Sequence, residues 1–232
     1  MVMLSEIALA LFLIGDLVLA GVSRLRSAIR FVAMQGCVVG ILPILLWNWA
    51  GEGCPGARIW TVVLVNVLVK GVLLPILLVY AVHKARTRRE LEPIVSFPLS
   101  QLIVFVIAVG AFVVGRLLQV HTSSVSEMAV SVALTTMGTG LLLICGRKKA
   151  ITQVLGFLVL ENGISVFGSA ILLEYGIAVE LGILLDVFAL VFILGIAVFQ
   201  ISRTFSSTDT NQLNHLGDTH LMHPHHHDHT HA

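Results

Sequence analysis

The stretch VLGFLVLENGISVFGSAILLE, residues 154–174, holds an ionisable carboxylate, Glu161, beside an amide, Asn162, in the middle of an apolar run. A second run, VELGILLDVFALVFILGIAVF at 179–199, does the same with Asp186. What these acids mean depends on the solvent around them. Each run has the roughly 20 residues that a helix needs to cross a hydrocarbon core of about 30 Å. The rest of the chain agrees: hydrophobic residues make up 57% of the 232 and charged ones 12%, and the mean hydropathy is +0.97. That is the composition of a membrane protein.

The pattern predicts an all-α, polytopic membrane protein with about seven transmembrane helices, at 2–22, 31–49, 58–82, 99–119, 126–145, 150–173 and 178–200. Of the 14 Lys and Arg, 11 fall in Arg24–Arg30, Lys84–Arg89, Arg147–Lys149 and at Arg203. These are alternate connections plus the end of the last helix. By the positive-inside rule they face the cytoplasm, which predicts a protein of the cell inner (cytoplasmic) membrane with its N-terminus outside and its C-terminus in the cytoplasm. The first helix differs from a signal peptide: it has no basic leading region, carries Glu6, and lacks a small-residue cleavage pattern. A net charge of +1 offers no basic surface to nucleic acid.

The connection HKARTRRELEPIVSFP, 83–98, is expected on the cytoplasmic side, dividing a three-helix segment, 1–82, from a four-helix segment, 99–203. The tail, 204–232, is too polar to build a core and reads as disordered. It holds eight of the ten histidines, and its HHHDHTH pattern suits nickel, zinc or copper as well as it suits a plain polar spacer. Gly36 and Gly40 form a GxxxG pair that lets another helix approach closely, unless they are ordinary small residues of a glycine-rich chain. Cys37, Cys54 and Cys145 have no metal-ligand spacing and read as unpaired.

A charged side chain at mid-helix costs about 2.5–3.5 kcal/mol on insertion scales, so such groups face protein or water rather than lipid. At about 1.5 Å per residue, Glu161 lies about 16 Å along the sixth helix from its cytoplasmic start. On the same measure Asp186 lies about 12 Å along the seventh helix and Lys70 about 18 Å along the third, both from the outer side. All three are candidates for proton transfer, a role that intramembrane acids and lysines commonly serve. Glu161 leads them because Gly163 and Gly168 leave room for water or another helix. Lys70, with Asn66 one turn before it, reads as a second protonatable station, a counter-ion, or half of a structural ion pair. Asp16 lies nearer the cytoplasmic edge and is expected to pair with an inner arginine. Glu6, Glu127, Glu174 and Glu180 read as solvated groups at helix ends.

The chain has no P-loop, dinucleotide fingerprint, clustered cysteines or nucleophile elbow, and no histidine inside a predicted span. No catalytic residue and no resident cofactor are expected. Residues 126–203, with RKKAITQVLGFLVLENGISVFG followed by VELGILLDVFALVFILGIAVFQI, resemble hydrogenase-4 component E. That family in turn resembles the small K subunit of respiratory complex I and its counterpart in cation/proton antiporter complexes. The N-terminal helices match only in number and character.

The resemblance implies an acid on the middle helix and another on the last helix of a three-helix unit, both in a chain of protonatable groups. Glu161 in LENG matches the first and Asp186 in LLDVF the second, although the K subunit usually carries Glu there. It further implies a membrane subunit of a group 4 nickel–iron hydrogenase or formate hydrogenlyase-like complex. The nickel–iron and iron–sulfur centres would reside in peripheral partner subunits, with antiporter-like subunits and the lipid bilayer as the other neighbours. The alternatives are a stand-alone metal-ion transporter that uses the histidine tail, a subunit of a cation/proton antiporter complex, and a structural anchor whose acids are locked in ion pairs.

Overall fold

The computed structural model describes residues 2–45, 54, 56–84, 94–117, 127–171, 191–193 and 195. The elements are α1 (Val2–Gly21), α2 (Leu25–Leu45), α3 (Ala57–Asn66), a π-helical segment (Val67–Leu73), α4 (Leu74–Lys84), α5 (Phe97–Leu117), α6 (Glu127–Cys145) and α7 (Ala150–Ile171). The segment α3–π–α4 runs on as one span. Among the described residues, six helices are long and apolar enough to cross a membrane, and the protein is a multi-pass membrane protein. The expected seventh helix, 178–200, lies outside the described residues except for 191–193 and 195, which are helical. The histidine tail, most of the 83–98 connection, Glu174 and Glu180 also lie outside them.

The second helix begins at Leu25, six residues ahead of the expected 31. Its start is amphipathic: Arg26 and Arg30 are exposed, while Leu25, Ala28, Ile29 and Val32 are buried. The charged residues that mark a connection in the sequence therefore decorate the outside of the first turns.

The interior has two apolar layers. One contains Leu19, Leu25, Ile29, Leu78, Leu143 and Leu155; the other contains Leu9, Phe12, Val39, Leu42, Val130 and Val166. A buried polar residue separates them on each central helix. Asp16 falls between Phe12 and Leu19 on α1, and Gln35 between Val32 and Val39 on α2. Thr136 falls between Ala133 and Leu143 on α6, and Glu161 between Val159 and Val166 on α7. The outer face is the reverse: Ile7, Leu11 and Ile14 of α1 and Phe105, Val109 and Val113 of α5 are exposed, as lipid contact requires.

Close backbone approach builds this polar level. A Cβ on Gly36 would stand 2.6 Å from the Lys70 carbonyl oxygen, and one on Gly40 would stand 2.8 Å from the Val67 nitrogen. The GxxxG pair is thus the seat of the π-helical segment. On α7, a Cβ at Gly156 would stand 2.8 Å from the Ile144 nitrogen, so α6 and α7 also pack backbone to backbone. The π turn has a local cause. Pro75 supplies no N–H and its ring disfavours the ordinary ladder behind it, and the Leu74 N–H reaches back to the Val69 carbonyl. Among residues 67–73 the one buried side chain is Lys70.

Gly36→Ala or Gly40→Ala is expected to lower stability by about 1–3 kcal/mol through overpacking. Among the described residues, a Cβ at Gly168 would meet nothing within 4 Å, so Gly168→Ala should hold stability or raise it by up to about 1 kcal/mol through helix propensity. Chemical denaturation in mild detergent separates the two outcomes.

Candidate functional site

Lys70 and Glu161, 91 residues apart in sequence, meet inside the bundle. Lys70 Nζ donates to Glu161 Oε1 at 2.7 Å and to Ser165 Oγ at 2.6 Å. Glu161 and Ser165 are one turn apart on α7, so the ammonium spans two turns of a single helix face. The two charged side chains are 3% and 1% exposed, which places the pair out of water's reach. Asn162 is buried beside it. It is the one salt bridge among the described residues.

Its energetics follow from burial. Each ion alone would carry a desolvation penalty of several kcal/mol, and their mutual attraction with the added hydroxyl offsets it. The pair is held by its opposite charges, and neutralising the carboxylate would cancel the attraction between them.

A second buried carboxyl, Asp16, lies at the same polar level and is 0% exposed. It makes no pair with an arginine, contrary to the expectation from its position. Gln35 Nε2 donates to its Oδ1 at 2.8 Å, and Thr136 Oγ1 lies 2.6 Å from its Oδ2. The nearby arginine is engaged elsewhere. Arg147, in the connection between α6 and α7, donates from Nη2 to the Ala20 carbonyl at 3.1 Å and stacks 4.7 Å from the centre of the Phe97 ring. It thus caps the C-terminal end of α1, where unpaired carbonyls favour a cation. Burial lowers its pKa from the usual arginine value, and it stays charged.

Sequence reasoning singled out Lys70 and Glu161 separately, and the structure brings them together; Asp186 lies outside the described residues. It missed the grouping of Asp16, Gln35 and Thr136. The available signal was a polar residue inside the apolar run of each of three helices, with a run of buried threonines at Thr135, Thr136 and Thr139. All three cysteines are free. Among the described residues no three His, Cys, Asp or Glu side chains gather into a set that fits a metal centre.

These features define a multi-pass membrane protein with a buried charge pair and a second buried acid. Over 215 residues the chain is 31% identical to the uncharacterized protein Rv0085 of Mycobacterium tuberculosis (strain ATCC 25618 / H37Rv), a match covering 89% of this chain and 95% of that one. The chain belongs to the family of that protein. No family model matches it, and no solved structure does.

Lys70→Met leaves Glu161 buried without its cation and is expected to cost about 3–5 kcal/mol. The double variant Lys70→Met with Glu161→Met should recover most of that loss. Denaturation of both in detergent gives the coupling, and a double variant as unstable as the sum of the two single ones would refute the pairing.

Proposed function

We propose that this chain is an integral subunit of a group 4 nickel–iron hydrogenase or formate hydrogenlyase-like complex. It sits in the cytoplasmic membrane with its C-terminus inside, anchors the complex, and carries protons through its interior as partner subunits transfer electrons. The Lys70–Glu161 pair, buried between two apolar layers, supports the proton-carrying part. The complex is suggested by the resemblance of residues 126–203 to hydrogenase-4 component E. Nickel–iron and iron–sulfur centres belong to peripheral partners, and antiporter-like subunits flank this one in the membrane.

In this reading Glu161 accepts a proton from one side. The carboxylate becomes neutral, and Lys70 loses the counter-charge of Glu161 at a depth where a cation is costly. The ammonium then gives up its own proton, for which Asp186, in the expected seventh span, is the proposed next acceptor. Return of the Glu161 proton to the neutral amine restores the ion pair. The same pair would serve a subunit of a cation/proton antiporter complex equally well, and the partner chains tell the two apart.

Copurification from native membrane in mild detergent, with identification of every associated chain, tests the assignment. A nickel–iron hydrogenase large subunit together with antiporter-like subunits is the expected result. Recovery of this chain with only itself would refute it. In the assembled complex, Glu161→Gln keeps a carbonyl oxygen for Lys70, so assembly and hydrogen evolution in detergent should persist. Proton movement into vesicles should fall at least tenfold.

A further inference from the structure

The hydrogens around Asp16 can be counted. Thr136 Oγ1 lies 2.6 Å from Asp16 Oδ2 and 3.0 Å from the Val132 carbonyl oxygen. A threonine hydroxyl has one hydrogen and can satisfy only one of these two oxygens. Its neighbours show where that hydrogen goes. Thr135 donates to the Ser131 carbonyl at 2.8 Å, and Thr139 donates to the Thr135 carbonyl at 2.9 Å. Each buried threonine of this part of α6 bonds the carbonyl four residues back, the habit of hydroxyls inside membrane helices. If Thr136 does the same, the short contact to Asp16 still needs a hydrogen, and only Asp16 can provide it.

The surroundings point the same way. Asp16 is 0% exposed and has no salt-bridge partner among the described residues. The helices packed on α1 face it with Gln35 of α2 and Thr136 of α6, while Gln101 of α5 donates to the neighbouring Leu17 carbonyl at 3.5 Å. The charged residues Glu6, Arg26, Arg30 and Arg116 on these helices are exposed. Arg147 reaches the Ala20 carbonyl one turn on. An ionised carboxylate with only neutral donors in this setting would be an uncompensated buried charge.

We infer that Asp16 is a proton-binding site in which the carboxyl is held as the neutral acid. Its Oδ2–H donates to Thr136 Oγ1, and its Oδ1 accepts from Gln35 Nε2. The Thr136 hydroxyl in turn donates to the Val132 carbonyl. Gln35 Oε1 is buried with no donor, so the amide that faces the acid keeps an unmet acceptor beside it. The site stands apart from the Lys70–Glu161 pair: Gln35 faces Asp16, whereas the next residue, Gly36, faces the Lys70 carbonyl. It does not depend on the hydrogenase reading.

The test is the infrared band of a protonated carboxyl group, recorded at pH 7 on the full chain in lipid vesicles. Asp16→Asn is the informative variant, because an amide donates to Thr136 and accepts from Gln35 as the neutral acid does. The band is expected in the wild type and in Glu161→Gln, and is expected to be lost in Asp16→Asn with the melting temperature unchanged. A band that persists in full in folded Asp16→Asn would overturn the proposal. If Asp16→Asn fails to accumulate, aspartate-specific carbon-13 labelling of an Asp186→Asn chain gives the answer: the band must move, and one that stays in place overturns the proposal.

Discussion

A charge carried into hydrocarbon must bring its own compensation, because nothing around it can supply any. The architecture of this chain follows from that constraint. Lys70 and Glu161 neutralise each other inside the bundle, and Asp16 is met by hydrogen-bonding partners from two other helices. All of them lie in one polar level closed off above and below by aliphatic layers. A polar level of this kind fixes helix register as apolar packing alone cannot, because sliding a helix by one turn would strand its polar member in an apolar layer.

The level exists only because backbones come unusually close. Gly36 and Gly40 let the π-helical segment rest against α2, and the turn before Pro75 presents Lys70 inward. Local and tertiary effects thus act on the same residue. The proline reshapes the helix, the glycines admit it, and the glutamate on α7 holds its charge. Arg147 closes one end by tying the α6–α7 connection to the C-terminal turn of α1 and to the Phe97 ring at the start of α5.

Much of this was legible in the residues. Length and hydropathy locate six spans because lipid demands a long apolar run from each, and the depth of Lys70 and Glu161 marks both as special. The partnership between them was not legible, since 91 residues of chain separate them and their meeting depends on a π turn that a plain helical repeat does not reveal. Asp16 was assigned to an arginine because sequence position gives depth along a helix but not the direction of a side chain. The start of α2 was misplaced for a related reason: arginines facing outward and arginines in a loop look alike until the buried side of the helix is known.

The long separations also bear on how the chain is made. Thr136 lies 120 residues after Asp16. At a synthesis rate of about 5–20 residues per second, roughly 6–24 seconds pass between the two leaving the ribosome. During that interval α1 is already made, with its acid lacking one of its two hydrogen-bonding partners and with no Arg147 to cap its end. The first helices therefore have to wait, either kept beside the insertion machinery or held by another membrane chain, until the fifth span arrives to complete them.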